Sequence, residues 1–475
     1  MLKKYIDILP FFTPILLYLS FWFGSLIALI SLVPWLYFLI KSPSNKRSYL
    51  IDTLVGTIFG LTVLLPLLSF QGQPLFFVEG ILLDYFKLIF ASIIILTAIM
   101  GGGLFFFIFG WFFRKIKLSF LLKTFIFSLV WVVMEYVRAN LFFGLSWGHL
   151  GFLLHSSPQM IQLASIWGVY ALGFVVLSVN ISLTGVLASD KKKNRVQYSV
   201  LFLIILILVY GYGALTLQNK SDEELGLTVA VLSSPYNTVG ITESGIFNKI
   251  EYELRDILSK KQISVVVLPE NIFPFFIIDR KTFQPIGLDQ QGGIYNLYSL
   301  LTDFSKTHPQ LSIIFGVHFL DEAQDKYLNS LVVMENGELK DSYQKINLLP
   351  ITESVPDRFE KEHARLMVSG EKKLMNTQHG LVRGLICSEV AVFSNNSSEE
   401  TILNIISGND LVVPTRQVFY YHHIMSKVQA VSNRNYTLRS VKGGVSSIIS
   451  PYGEVLKHTE LGRKKENITT LILEI

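Results

Sequence analysis

Only one cysteine, Cys387, occurs in the 475 residues. Such a chain has no internal disulfide available, and a single sulfur is a poor basis for a metal site. Internal repeats and low-complexity linkers are absent as well. Nothing at the start resembles a cleavable signal peptide: the first apolar run is too long, and no small-residue cleavage site follows it. Acidic residues are scarce in the first half, where residues 1–220 hold 16 Lys+Arg against 6 Asp+Glu, while residues 221–475 hold 25 against 30. The overall charge of +5 is therefore no nucleic-acid footprint, because the basic surplus lies between hydrophobic segments.

What the chain does have is apolar length. Its hydrophobic share of 51% is too high for a soluble protein of this size, and the excess sits in the first half. Runs of about 20 residues, enough to cross a bilayer, are expected near 6–23, 24–40, 50–70, 82–113, 118–137, 159–188 and 196–217. The first two are so tightly joined that one long helix is conceivable, but it would overshoot the hydrocarbon, so two helices fit better. Basic clusters fall at Lys3-Lys4, Lys41 to Arg47, Arg114 to Lys117 and Lys191 to Arg195, which is the amino terminus and every second loop. By the positive-inside rule these ends are cytoplasmic. Seven spans then put everything after Leu217 outside.

One loop on the opposite side, residues 138–158, contains an apolar, glycine-broken stretch ending Ser146-Trp147-Gly148. An aromatic anchor at headgroup depth is the plain reading of Trp147. Glu135 and Arg138, three residues apart at the end of a helix, are spaced to pair on one face.

From Leu225 the texture changes to short β-rich runs alternating with amphipathic helices. Strands are expected at 227–232, 263–268, 311–317, 330–334, 381–387, 402–406, 445–449 and 469–473, and helices at 246–258, 294–304 and 419–431. This pattern implies two domains, residues 1–220 in the membrane and residues 221–475 as a layered α/β domain with sheet packed on sheet. Three polar residues end apolar runs or tight turns in that second domain: Glu270, Lys345 and Cys387. Singly they read as a strand-end acid, a surface lysine and a packed core cysteine. Together they would be a set for acyl transfer, in which a carboxylate takes the thiol proton, the sulfur attacks a carbonyl and the ammonium holds the oxyanion. Spacing alone does not bring them together.

The blocks Leu268-Pro269-Glu270, Tyr343-Gln344-Lys345 with Glu353-Ser354-Val355-Pro356, and Ile386-Cys387-Ser388-Glu389 resemble those of the nitrilase, or carbon–nitrogen hydrolase, superfamily. Behind a polytopic membrane half, with Glu135-Tyr136-Val137-Arg138 and Gly144-Leu145-Ser146-Trp147, they look like the apolipoprotein N-acyltransferase family. Ser407-Gly408-Asn409-Asp410 and the run Arg439 to Gly444 resemble later blocks of the same family. The resemblance covers nearly the whole chain and implies an αββα sandwich carried by the membrane helices. It makes Cys387 the nucleophile, Glu270 the general base and Lys345 the oxyanion partner. Glu353 and Glu389 match two supporting acids, and Trp147 a residue of the substrate-entry region.

The reaction so implied is ping-pong. A phospholipid acyl donor gives its sn-1 chain to Cys387, and the α-amine of a diacylglyceryl lipoprotein acceptor then takes it. No nucleotide, metal or other cofactor is needed. The implied place is the bacterial cytoplasmic membrane, as a multi-pass protein with the catalytic domain on the periplasmic side; a monomer is the default, since the sequence does not give the oligomeric state. The chain departs from the family in four ways. After the last strand, 469–473, no final apolar span follows. The arm at Ser233 to Val239 lacks an expected tryptophan, Leu411 stands where an aromatic pair is common, and Ser432 stands where an acid is usual. Two other readings remain: a membrane-tethered amidase or acyltransferase with a different lipid amine acceptor, and a non-catalytic transporter or ligand-binding protein. The shortage of charge inside the spans counts against transport.

Overall fold

Apolar residues at helical spacing build the first two hundred residues, and period-two alternation builds most of the rest. The computed structural model describes residues 5–70, 81–141, 146–220, 224–234, 243–270, 272, 277–286, 293–321, 326–348, 353, 369–370, 373–392, 400–460 and 468–475. By internal contacts the chain falls into two compact units, one made chiefly of residues up to 220 and the other chiefly of residues from 221 onward.

The first unit holds α1 (Phe12–Phe23), α2 (Ser25–Ala28), α3 (Val33–Lys41), α4 (Lys46–Leu64), α5 (Ile81–Ala98), α6 (Leu104–Lys115), α7 (Phe120–Leu141), α8 (Ala164–Ala188) and α9 (Lys192–Gln218). Five helical stretches among the described residues are long and apolar enough to cross a membrane: Lys46–Ser69, Leu88–Lys115, Phe120–Asn140, Met160–Ala188 and Lys192–Gln218. The first two expected spans correspond to the shorter stretches Leu9–Phe23 and Ser25–Lys41. Gly24 divides them at φ +104, a conformation that ends α1, and a proline in the first turn of α3 restarts the chain.

Two devices hold this unit together. Gly56 on α4 meets the π-helical turn Ile99–Gly103 so closely that a Cβ on Gly56 would stand 2.3 Å from the carbonyl oxygen of Gly102. Backbones touch there because neither residue has a side chain, the usual means of helix association in lipid. The second device is polar. Asp52 accepts from Trp35 Nε1 at 2.9 Å and from Arg114 Nη1 at 2.5 Å, with both charged side chains buried. Around them Trp35 packs on the rings of Phe106, Phe109 and Trp131.

The second unit contains two sheets. The first runs β13-β1-β2-β4-β5-β6, with β3 paired to β4, and the second runs β12-β11-β10-β9-β8-β7. In chain order the strands are β1 (Thr228–Ser233), β2 (Val265–Val267), β3 (Ile277–Asp279), β4 (Ser312–Asp321), β5 (Lys326–Glu335), β6 (Glu338–Gln344), β7 (Met375–Thr377), β8 (Gly380–Ile386), β9 (Leu403–Asn409), β10 (Tyr436–Lys442), β11 (Ser447–Ile449), β12 (Val455–His458) and β13 (Thr469–Glu474). The helices are α10 (Glu243–Lys260), α11 (Gly293–Thr307) and α12 (Arg416–Asn433). Strands β1, β2 and β4 are mutually parallel, as are β8, β9 and β10.

Alternation sorts the apolar side chains into layers. Ala230 and Leu232 of β1 face α10 and α11, while Val229 and Val231 pack with Val382, Ile405 and Leu438 of the other sheet. Helix α12 lies against β10 and buries Val418, Tyr421, Ile424 and Val428. The result is the expected αββα sandwich. Its two parallel triplets, β1-β2-β4 and β8-β9-β10, each end their strands at an edge, the place where α/β proteins gather polar side chains.

Candidate active site

Glu270 follows β2 by three residues and is 4% exposed. Its Oε1 accepts from Asn329 Nδ2 on β5 at 2.8 Å, and its buried Oε2 has no partner among the described residues. Burial pushes this carboxyl above its ordinary range, against the opposing pull of Lys345.

Lys345 continues from the end of β6 and is 1% exposed. Its Nζ lies 2.8 and 2.7 Å from the two carboxylate oxygens of Glu353. Burial alone would depress the ammonium. The negative charge of Glu353, with Cys387, Glu270 and Glu389, outweighs that and holds it above its ordinary value. Lys345 is therefore a permanent cation, pinned also through its backbone N–H on Asn329 O at 2.8 Å.

Cys387 comes directly after β8 and opens a 3₁₀ turn, Cys387–Ala391. Plain alternation would aim it away from the other sheet, because Val382 and Ile386 already face inward. Its φ of +51 breaks that alternation, and the residue packs instead against the cluster between the sheets. A left-handed non-glycine residue costs on the order of 1 kcal/mol and persists where its surroundings impose it. Some of Cys387 remains exposed. Even so, burial pushes the thiol well above its ordinary value, the charge of Glu270 adds to this, and Lys345 opposes it. At neutral pH the sulfur carries its proton, so attack on a carbonyl requires a base in the same step. The charge of Glu270 acts on this thiol, and its Oε2 accepts no hydrogen bond among the described residues.

Glu389 does something that residue spacing did not reveal. It makes no direct ion pair with Lys345. One of its oxygens accepts the backbone N–H of Ile346 at 2.8 Å and of Asn347 at 3.0 Å, and the other accepts that of Ile386 at 2.9 Å. The Tyr343 hydroxyl donates to it as well, at 2.9 Å. One carboxylate thus ties the peptide after Lys345 to the peptide before Cys387.

The site holds further groups. His318 on β4 is paired in register with Asn329 and buried. Burial lowers its pKa to about 4, so it is neutral at physiological pH, and its Nε2 has no partner among the described residues. Lys442 ends β10 on the face shared with Leu438 and Ser440, at 3% exposure. Burial lowers its pKa to about 8, while Glu270 pulls it up. Asp410, just after β9, accepts from His422 Nδ1 at 2.7 Å and from Arg439 Nη2 at 2.6 Å. The Arg439 charge and the hydrogen bonds from both residues overcome burial and hold its carboxyl below the ordinary range. Asn329 and His318 escaped the sequence reading, and Lys442 entered it only inside the block Arg439 to Gly444, with no role of its own. Asn329 left a faint signal, an amide shortly before the apolar run 331–334 of β5.

Trp147 belongs to the first unit, where it is half-buried beside Arg138. Of the departures, the arm through Val239 lies outside the described residues beyond Ser234. Leu411 covers Gly443, whose added Cβ would stand 2.2 Å from Leu411 Cδ2. The Ser432 hydroxyl on α12 is buried with no partner among the described residues.

Residues 14–182 match the family model described as apolipoprotein N-acyltransferase N-terminal domain, and residues 228–475 match carbon–nitrogen hydrolase. The chain is 24% identical over 386 residues to the apolipoprotein N-acyltransferase of Borreliella burgdorferi, covering 77% of this chain and 72% of that one. With the Aquifex aeolicus protein of the same name it shares 26% over 369 residues, 74% of this chain and 76% of the other. Among solved structures it is similar to Saccharomyces cerevisiae Nit3, a member of branch 10 of the nitrilase superfamily, at 15% identity, TM-score 0.39, and 54% and 93% of the two chains.

Proposed function

The chain belongs to the carbon–nitrogen hydrolase family, as an acyltransferase of the apolipoprotein N-acyltransferase type, and on that premise we propose a ping-pong transfer through Cys387. In the first half-reaction Glu270 takes the thiol proton as the sulfur attacks the ester carbonyl of a phospholipid. The oxyanion forms beside the Lys345 ammonium. Collapse breaks the C–O bond, and the leaving alkoxide takes its proton from Glu270, which leaves a thioester and a lysophospholipid. In the second half-reaction the α-amine of a diacylglyceryl-cysteine attacks the thioester. Its proton passes to Glu270, the sulfur leaves and is reprotonated, and an amide results.

Glu353 keeps Lys345 in place by the short ion pair, and Glu389 sets the spacing between Lys345 and Cys387. We assign residues 1–220 to the membrane and residues 221–475 to catalysis on the periplasmic side of the cytoplasmic membrane, in a monomer with Trp147 toward the entering lipid. The single observation that carries the reading is an oxygen of buried Glu270 that has no partner among the described residues, its charge acting on a thiol too basic to ionise alone. A neutral thiol, a free base and a fixed cation are what acyl transfer to sulfur requires.

The test is a thioester trap. Full-length protein incubated with an alkyne-tailed phospholipid is expected to gain a hydroxylamine-sensitive label, and a diacylated lipopeptide is expected to discharge it by N-acylation. Label that survives in Cys387→Ser would remove the assigned nucleophile. Discharge by water or another lipid amine, but not by the lipopeptide, would turn the reading toward an amidase or a different acceptor.

A further inference from the structure

The two sheets of the second unit are spliced at one end, and a buried cation is fixed in the splice. Ser440 Oγ on β10 donates to Leu232 O of β1 at 2.5 Å, and Ser407 Oγ on β9 donates to Leu268 O, just after β2, at 3.1 Å. Beyond these side-chain bonds the backbones themselves join. The Ser234 N–H donates to Val441 O at 3.4 Å and the Gly443 N–H to Ser234 O at 2.8 Å, which makes Ser234 and Lys442 a parallel bridge between the sheets.

Register places this bridge beside the base. Val231 of β1 pairs with Val267 of β2, and three residues further along each chain come Ser234 and Glu270. Lys442, bridged to Ser234, stands at the same level. Alternation along β10 puts it on the face of Leu438 and Ser440, which is turned to the other sheet, and its side chain is buried there. On the other side, β9 pairs Asn409 with Lys442 and Gly408 with Val441. Gly408 borders the thiol residue, since a Cβ on it would stand 3.5 Å from Cys387 Cα.

The charges around Glu270 give this position a use. Those that act on it most are Lys345, Glu353 and Lys442. Lys345 Nζ lies within 2.8 Å of both carboxylate oxygens of Glu353, so that pair carries no net charge. A carboxyl buried beside a neutral pair leans to its protonated form, and a protonated acid cannot take the thiol proton. Lys442 makes the sum positive. The remaining neighbours leave it so: His318 on β4 is neutral, Asn329 on β5 is an amide, Glu389 acts on Lys345, and Asp410, which acts on the thiol, is paired with Arg439.

We propose that Lys442 is a positioning residue of the first half-reaction: its ammonium, brought level with Glu270 by the splice of the two sheets, supplies the net positive charge that readies the base for the thiol proton. This role rests on the reading of Glu270 as the base, and Lys442 acts through that residue, not on the substrate. As the proton moves from sulfur to Glu270, the carboxylate charge vanishes and the oxyanion charge appears beside Lys345. The total charge is unchanged, and Lys442 keeps its proton throughout.

The test is a pH profile of single-turnover thioester formation by the full-length protein with an alkyne-tailed phospholipid. The rate should rise with pH along an acid limb that marks the ionisation of Glu270. Lys442→Met should move that limb toward alkaline pH by about one unit, the low end of what a neighbouring cation does. On the limb the rate then falls about tenfold, while the plateau is kept. Lys442→Arg should restore the limb, and Lys457→Met, on the exposed strand β12, should leave it in place. A limb unmoved in Lys442→Met overturns the proposal, as does an equal loss at every pH, the mark of a merely structural role. A limb that Lys442→Arg leaves where Lys442→Met puts it overturns it too. Lys442→Gln, also uncharged, serves if Lys442→Met does not fold. Because Cys387 is the only thiol, alkylation by iodoacetamide reads the same limb without any lipid. A shifted alkylation limb with no thioester in wild type upholds the action of Lys442 on Glu270 and sinks the acyl-transfer reading. A wild-type thioester with no shift in either limb does the reverse.

Discussion

The closed ion pair of the first unit and the open carboxylate of the second show two uses of buried charge. Asp52 spends both oxygens on Trp35 and Arg114, inside a shell of aromatic rings. Glu270 has one oxygen on Asn329 and the other on nothing among the described residues. Both acids are buried to a similar degree, so burial does not separate them. Satisfaction does: an acid with every lone pair directed at a fixed donor is structural, and one held by half is available for a proton.

The largest effect expected from this contrast is on rate. Glu270→Gln keeps the shape and the bond from Asn329 but cannot take a proton. Thioester formation should fall by about 10²- to 10⁴-fold, the worth of a positioned base. The melting temperature at neutral pH should change far less than the rate, because the free oxygen makes no hydrogen bond among the described residues. Labelling at near the wild-type rate would dismiss Glu270 as the base. Asp52→Asn is the opposite experiment. It strands Arg114 without its counter-charge and should cost about 3–5 kcal/mol of stability, read as a lower melting temperature in detergent. Transfer per folded molecule should stay unchanged. A stable Asp52→Asn protein would show that the pair is incidental.

Glu389 lies between these extremes, because it is fully satisfied yet adjoins the reacting groups. In Glu389→Gln one oxygen becomes an amide NH₂ facing backbone donors, which costs about 1–3 kcal/mol for each donor left unsatisfied. Since the lost bonds tie Ile346 to Ile386 across the Lys345–Cys387 gap, rate and melting temperature should fall together. A loss of rate with no loss of stability would mean that Glu389 acts on the chemistry and not through spacing.

How far these differences could be read from sequence depended on the element. Strands β1, β2, β8 and β9 were legible as apolar runs, and with them the positions of Glu270 and Cys387 at strand ends. Strand β10 was not, because Thr437, Arg439, Ser440 and Lys442 make Tyr436–Lys442 look like a surface stretch although all four are buried. Their partners come from distant segments: Arg439 meets Asp410, and Ser440 donates to Leu232 O. Asn329 was hidden for the same reason, since its worth lies in reaching Glu270, 59 positions away. In the first unit hydropathy located the apolar stretches, but the two short ones turned on Gly24, whose φ of +104 no apolar count reveals. The spacing of Glu135 and Arg138 suggested a pair, and the Leu150 amide took the acid instead.

The smallest effect concerns Lys442, which tests whether the cations around Glu270 act on it from more than one side. The groups acting on Glu270 are Lys345 from β6, Lys442 from β10 and the like charge of Glu353. Buried Lys442 has a pKa lowered from 10.5 to about 8. Between those values the unfolded chain holds a proton that the folded chain has released. Stability should therefore rise with pH from about 8 to 10.5 and be lost again as pH falls toward 8. The whole rise should be on the order of 1–3 kcal/mol. Melting curves of the full-length protein across that range should show it in wild type, and Lys442→Met should flatten it. In Glu270→Gln the carboxylate that pulls Lys442 up is gone, so the rise should begin below pH 8. An unchanged onset would mean that the two groups do not face each other, and Lys345 would then be the one cation left to keep Glu270 ionised.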